Sequence, residues 1–437
     1  MKNKFGLVFP LLAVALHAEV KVLRNFTLID GTGRAPVANS AMIIDNGRIS
    51  WVGPVSQLKT PASAQVIDLS GKYVMPGLIN LHGHLGAVIG VKQDASYETP
   101  DNVEKNLKKY ASYGVTTVVS MGTDKDFVLQ MRDKQRASGR PGETRIYSAG
   151  QGFVFKGGYG GLPGVTPEVA TPQDVAPVID KLAAEKVDLV KFWMDDHLGT
   201  KKKMPHEIGK AIIDDAHKKG LPVAAHIFYL EDAKAVVDYG INGLAHSVRD
   251  KPVDQALIDS MKRHGTWQMA ATLAREAAIF TYARTPPFIN DPFFDRGLSP
   301  DTIATLKSAS FHQQMIKADP EYEEFHQFLK TAQENLKRLA DAGVKYGFGT
   351  DSGPPTRFPG YAEHWELELM VQAGLTPMQV LTAATRNGAE FLKAKDLGTL
   401  EKSKWADLIV LDKNPLDDIR NSRTINAVYI AGNRVDK

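Results

Sequence analysis

The chain has 437 residues, of which 43% are hydrophobic, 24% charged and 8% aromatic, the composition of a globular protein rather than a disordered or fibrous one. A net charge of +3 is too small to mark a nucleic-acid-binding surface. The absence of cysteine excludes disulfides, thiolate metal sites, iron–sulfur clusters and cysteine nucleophiles, so any metal must be held by His, Asp, Glu or a modified Lys.

Met1-Lys2-Asn3-Lys4 is a basic start, and the apolar run over 5–16 is too short to span a bilayer. Small residues follow at Ala13-Val14-Ala15 and Ala18, so residues 1–18 are expected to be a signal peptide, with a buried first strand as the alternative. The mature protein is then expected to be exported, periplasmic or secreted, and free of membrane spans. Short strands are predicted over 20–23 and 26–29, before the turn 30–33. Strands over 41–44 and 48–52 flank Asp45-Asn46-Gly47, a strong hairpin signal. The far end repeats this character, with strands over 407–411 and 427–430 and a turn at Gly432-Asn433. These β-rich ends, 19–75 and 396–437, predict one small β-sandwich-like domain built from both termini.

The middle, 76–395, alternates strand and helix. Ile208, Ala211, Ile212 and Ala216 share a helical face, with Gly220 as a C-cap. A strand over 223–225, a helix over 233–237, a strand at 244–245, a helix over 258–262 and a strand over 268–271 follow. Phe325, Phe328, Leu329, Ala332, Leu336 and Leu339 line a long helix ending at Gly343, and a strand over 345–349 comes next. Apolar strands in repeated βα units imply an α/β fold with a parallel sheet. About eight strands fit, so a (β/α)8 TIM-like barrel is the economical expectation, with a doubly wound open sheet as competitor. The connection over 274–340 is anomalously long. Its aromatic residues, including Tyr282, Phe288, Phe293 and Phe294, suggest a lid or pocket wall over a packing excursion.

Ligand-type residues fall at the strand ends. His82 and His84 are i and i+2 on one strand, so their rings aim at one point. His226, His246 and Asp351 each end another apolar strand. A lone strand-end histidine is usually a satisfied core residue; several at one barrel mouth point to a divalent metal. Lys191 ends a further strand, Asp188-Leu189-Val190-Lys191. Buried there, it either pairs with Asp195, Asp196 or Asp351, or is neutral and adds CO2 to become a two-oxygen anion.

This set resembles the amidohydrolase superfamily across nearly the whole mature chain, with the flavour of its imidazolonepropionase-like and prolidase-like branch. Ala406-Asp407-Leu408-Ile409-Val410-Leu411-Asp412 with Asn414-Pro415-Leu416 looks like its C-terminal signature, Asp30-Gly31-Thr32-Gly33 and Asn46-Gly47-Arg48-Ile49 like its N-terminal sheet. Ser403 departs from a usual turn glycine. The resemblance implies two divalent ions, Zn2+ foremost with Mn, Co or Fe as alternatives. His82, His84 and Asp351 would hold one ion and His226 and His246 the other, with carboxylated Lys191, which needs CO2, as the bridge. It implies attack by a metal-bridging hydroxide on an amide, with Asp351 moving the proton to the leaving nitrogen. Tyr229 stands where deaminases of this superfamily carry Glu, which disfavours deamination, and Lys191 disfavours imidazolone hydrolysis.

The expected substrate is a small molecule: a dipeptide, an N-acyl amino acid or a similar carboxylate-bearing amide. A lactonase or esterase on the same ions is the rival enzyme, and a non-catalytic binding protein the rival class. Arg249, Arg275 and Arg357, after the sixth to eighth strands, are candidates to grip a carboxylate, each with a plain ion pair as the alternative. His197 and Tyr229 are further candidates for the substrate side. Lys201-Lys202-Lys203 reads as a solvated loop. No nucleic-acid partner is expected, and a homo-oligomer is left open.

Overall fold

The computed structural model describes residues 20–139 and 141–435. The expected signal peptide over 1–18 lies outside them. Among the described residues, no helix is long and apolar enough to cross a membrane.

Both ends of the chain enter one sheet. Its strands run in the order Asn433–Arg434, Ile425–Ile430, Leu408–Leu411, Tyr73–Pro76, Lys21–Leu28, Val37–Asp45 and Arg48–Pro54, and Gln65–Asp68 also pairs with Lys21–Leu28. The seam is antiparallel, with Leu408 opposite Pro76 and Leu411 opposite Tyr73. The hairpin forms where Asn46 and Gly47 take positive φ of 51° and 77°, the pair of left-handed residues that a two-residue turn demands. Gly47 is also sterically required, since a Cβ there would lie 2.4 Å from the Ala431 carbonyl oxygen. Leu23, Phe26, Met42, Ile44, Val74, Leu408 and Val410 bury one face as a separate apolar cluster.

The middle is a parallel βα assembly in two ladders. One contains Leu78–Gly83, Val115–Ser120 and Arg145–Ser148; the other contains Val190–Met194, Val223–Ile227, Gly243–Leu244 and Trp267–Gln268. Backbone hydrogen bonds link the ladders on both sides. Asp188 N donates to Ser148 O (2.9 Å) and Phe153 N to Lys191 O (2.8 Å); on the other side Gly347 N donates to Gln268 O (3.0 Å) and Leu81 N to Phe348 O (2.8 Å). The strands 78–83, 115–120, 190–194 and 223–227 are buried at every position, as expected for a parallel sheet covered on both faces. The expected strand over 345–349 makes one bridge, Tyr346 to Gln268, rather than a regular ladder. Its glycines explain this: a Cβ on Gly347 would meet Met269 O at 2.5 Å, and one on Gly349 would meet Ala270 Cβ at 2.6 Å. The chain crosses its neighbours too closely to carry side chains there.

Helix His206–Lys218 buries Ile208, Ile212, Ile213 and Ala216 against the sheet and ends before Gly220, whose φ is +74°. Helix Phe325–Asp341 buries Phe325, Ala332, Leu336 and Leu339. Truncating one such leucine to alanine costs about 2–5 kcal/mol. The connection over 274–340 is mostly helical. Phe288, Phe294 and Tyr282 pack with Phe358 and Tyr361, at ring separations such as 4.8 Å for Phe294–Tyr361. These aromatic residues form a satellite core, as the packing alternative has it, and none of them lines the cavity described next.

Candidate metal centre

His82 and His84 leave strand Leu78–Gly83 with both Nε2 atoms directed at Asp351 Oδ1, 3.5 Å and 2.9 Å away. The ligand atoms of the three residues lie within 4.8 Å of one another. Each ring is fixed from behind. His82 Nδ1 donates to Ala245 O at 2.9 Å, and His84 Nδ1 bonds Thr123 Oγ1 at 2.8 Å. The first bond assigns the proton to Nδ1, so His82 offers a bare Nε2.

His246 sharpens the pattern. Its Nδ1 lies 2.8 Å from Thr272 Oγ1, and that hydroxyl spends its only hydrogen on Ala271 O at 2.7 Å. Thr272 therefore accepts from Nδ1, and His246 Nε2 carries a lone pair. That atom is buried and has no partner among the described residues. It sits between rings, with His226 at 4.0 Å and His82 at 4.7 Å centroid to centroid. Burial pushes all four imidazoles down, His82 and His246 well down and His226 to about 3, which favours the neutral form that coordinates a metal. A buried, unpartnered lone pair beside three neutral imidazoles, a carboxylate and an amine is a donor set that fits a divalent ion.

Lys191 is fully buried on strand Val190–Met194, with Nζ 3.5 Å from His82 Nε2 and 4.8 Å from the centre of the Trp193 ring. Among the described residues no carboxylate stands at ion-pair distance from it, so the pairing alternatives with Asp195, Asp196 and Asp351 are not realised as ion pairs. Burial pushes the amine down to about 7; Asp351 opposes that fall and Arg275 adds to it. A neutral amine is the nucleophile that carboxylation by CO2 requires.

Asp351 holds a left-handed backbone at φ +56°, and so does Thr272 at +55°. Neither is glycine, and both conformations cost energy that the surrounding fold must supply. Beneath Asp351, Asn80 Nδ2 donates to Glu363 (2.7 Å), Thr350 (3.0 Å) and Ser352 (3.2 Å), while its Oδ1 accepts from His82 N (2.9 Å). One asparagine thus ties the histidine strand to the aspartate loop. Burial works against a charge on Asp351, but the Arg357 guanidinium foremost, with the hydrogen bond to His84, outweighs it and holds the carboxyl well below the usual range. Arg357 Nη1 contacts Asp351 Oδ2 directly, and Arg275 Nε is 3.4 Å from the same oxygen.

Above these residues opens a cavity of about 230 Å³, lined by His84, Gln93, Thr123, Tyr159, Trp193, His226, Asp351 and Arg357 among others. Of the substrate-side candidates, Arg357 lines it. Arg275 reaches it from within, donating to Tyr159 Oη at 3.0 Å and to Glu276 at 2.6 Å. His197 backs it, stacked on Tyr159 at 4.9 Å and 3.3 Å from Asp319. Arg249 lies deeper, its Nη1 tied to the carbonyls of Ile227 (2.8 Å) and Ser247 (2.9 Å). Tyr229 turns aside, donating to Asp196 at 2.7 Å.

Sequence reasoning missed the cavity-lining Tyr159 and Trp193 and the three residues that hold the histidines, Thr123, Thr272 and Asp195. Thr123 and Thr272 are legible only once the fold brings them to the histidines. Asp195 accepts from His226 Nε2 at 2.7 Å; its place directly after the strand Val190–Met194, in which Lys191 is the second residue rather than the last, was the available signal. Burial raises Asp195, but the His226 hydrogen bond and the Arg249 charge outweigh it and keep the carboxylate ionised.

Comparison with known proteins agrees with this arrangement. The sequence profile of the amidohydrolase family matches residues 73–435. An imidazolonepropionase from Streptomyces griseus is 24% identical over 411 residues, covering 91% of each chain. The crystal structure of a Bifidobacterium longum protein described as a prolidase superposes with a TM-score of 0.76 at 26% identity, covering 96% of this chain and 95% of that one. A Xaa-Pro dipeptidase with methionine bound in its active site gives a TM-score of 0.74 at 21% identity, covering 96% and 100%. With its profile spanning most of the sequence and its histidines and aspartate gathered at one cavity, the chain belongs to the amidohydrolase family and is a hydrolase of carbon–nitrogen bonds.

Proposed function

We propose that the protein hydrolyses the amide bond of a dipeptide, an N-acyl amino acid or a similar carboxylate-bearing amide, at a centre of two divalent ions. The observation that carries this reading is the buried Nε2 of His246, unpartnered among the described residues and set beside His226, His82 and a lysine that has no counter-ion among them. His82, His84 and Asp351 would hold one ion, His226 and His246 the other, with carboxylated Lys191 between them. His226 would bind through Nδ1, since Asp195 occupies its Nε2. Bound divalent ions supply a Lewis acid for the carbonyl and lower the pKa of water to near neutral. Zn2+ suits these nitrogen and oxygen donors, and Mn, Co and Fe are the alternatives.

The chain's own residues do the rest. The Asp351 carboxylate accepts the proton of the attacking water and delivers it to the departing nitrogen. Arg357, at the cavity wall, grips the substrate carboxylate and fixes the amide in register with Asp351. The two parallel ladders and their linking hydrogen bonds support a (β/α)8 barrel beneath the site. The sheet drawn from both ends supports a β-sandwich-like domain beside it. The basic, apolar start of the sequence supports export after removal of residues 1–18. Names among similar proteins, a prolidase and a Xaa-Pro dipeptidase, support an amide next to a carboxylate.

Assays across dipeptides, N-acyl amino acids and lactones, each with and without chelator, test the reading. Chelator-sensitive cleavage of the carboxylate-bearing amides is expected. Cleavage of lactones alone would replace it with an esterase assignment.

A further inference from the structure

We propose that Tyr159 is a catalytic residue that donates its phenolic hydrogen bond to the substrate carbonyl oxygen as that oxygen takes up negative charge. This inference rests on the amide-hydrolase reading above.

Tyr159 is carried by the run Gly157-Gly158-Tyr159-Gly160-Gly161, in which Gly157, Gly160 and Gly161 take φ of +71°, +106° and +70°. The loop lies flat on the floor of the cavity mouth: a Cβ on Gly160 would fall 2.3 Å from Trp193 Cγ. A Cβ would also crowd Gly158, 2.8 Å from Phe155 O, and Gly161, 2.7 Å from Val154 Cγ2, so three of the four glycines have no room for a side chain while Tyr159 between them lines the cavity.

The ring is clamped on two sides. It stacks on His197 at 4.9 Å with 18° between planes, and meets the edge of His226 at 5.4 Å and 61°. The hydroxyl is clamped from behind by Arg275, whose Nη2 donates to it at 3.0 Å. A guanidinium can only donate, so the phenol oxygen is an acceptor in that contact and its own hydrogen is left over. Among the described residues the hydroxyl donates to no protein group. The same guanidinium places its Nε 3.4 Å from Asp351 Oδ2. Arg275 therefore sets the phenol and the proton-moving carboxylate side by side, with His226 on the far flank. A carbonyl attacked in that space develops its charge where the free phenolic hydrogen is available, and the cation behind the phenol strengthens the bond it gives.

Water oxygen bonds to the carbonyl carbon, and the carbonyl π pair moves to oxygen, where it is met by the phenolic hydrogen bond. When the pair returns, the C–N bond breaks and the nitrogen takes the proton held by Asp351. Tyr159 stays protonated throughout.

The test is Tyr159→Phe in the metal-loaded enzyme, because phenylalanine keeps both ring contacts. With an N-acyl amino acid that the wild type cleaves, kcat should fall about 100-fold or more, the loss of one oxyanion donor. KM should stay within about threefold and metal content per chain should not change. A phosphonate mimic of the tetrahedral species should lose affinity in parallel with kcat/KM, while product affinity holds. Wild-type turnover by Tyr159→Phe, or loss of metal in that variant, would overturn the role of Tyr159 alone. A wild-type enzyme that cleaves no amide would overturn the amide reading, and this inference with it.

Discussion

Asp195 Oδ2 lies 2.7 Å from Nε2 of His226, and Asp195 Oδ1 accepts from the backbone N of His197 at 2.9 Å. The carboxylate is therefore fixed by its own chain before it touches the ring. It fixes the ring's tautomer in turn, leaving Nδ1 with a free lone pair. Arg249 Nη2, at 3.9 Å from Asp195, adds a buried positive charge on the far side.

Asp195→Asn should weaken binding of the ion assigned to His226 and His246 by about 10–100-fold, with little effect on the other. Competition against a chelator of known affinity measures this. Unchanged affinity at both sites would show that Asp195 does not orient the ligand.

Arg357 is the one arginine of the three candidates that lines the cavity while touching Asp351. Arg357→Met should raise KM or lower kcat/KM for acid substrates by the equivalent of about 2–4 kcal/mol. Neutral amide or ester analogues should suffer much less. Equal losses on both substrate types would remove the carboxylate grip. Arg275→Met should behave differently, since it also releases Tyr159 and should lower kcat on acid and neutral substrates alike.

Lys191→Ala should lower activity by about 100-fold or more while the protein stays folded. A short-chain carboxylic acid at high concentration should restore part of it by filling the vacated space with an anion. Lys191→Arg should not be rescued, because its side chain still fills the site and stays charged. Full activity of Lys191→Ala would remove the bridge.

Glu366 gives a pH dependence of stability. It is buried beneath helix Leu273–Thr281, accepting from Leu273 N at 3.0 Å and Ala274 N at 2.7 Å. Burial outweighs these bonds and pushes its carboxyl up from 4.5 to about 8. The folded state therefore holds a proton that the unfolded state releases, and this contribution is complete below the unfolded pKa and is lost as pH rises through the folded one. Glu366→Gln should flatten the decline in denaturation midpoint between about pH 5 and 8. An unaltered pH profile in the variant would contradict the assignment.

Much of the site was legible in the sequence because its geometry is local. His82 and His84 face one way by the strand period alone, and His226, His246 and Asp351 announce themselves as polar ends of apolar runs. The hairpin at Asn46-Gly47 was legible for a similar reason: its turn chemistry is complete within two residues. What surrounds these candidate ligands was not legible. Thr123 and Thr272 meet their histidines across 39 and 26 residues of chain, contacts that only the fold creates. Asp195 was visible as an acid near Lys191, but its partner is His226 on the neighbouring strand. The aromatic residues of 274–340 carry the same composition whether they line a pocket or pack together, so composition alone could not separate the two.

Activity measured while divalent ions are returned to the chelated protein probes the two-ion centre itself. Turnover of an N-acyl amino acid or dipeptide should be absent in chelator, rise as ions are added, and level off at about two ions per chain. Full turnover by the protein in excess chelator would mean that hydrolysis needs no bound ion.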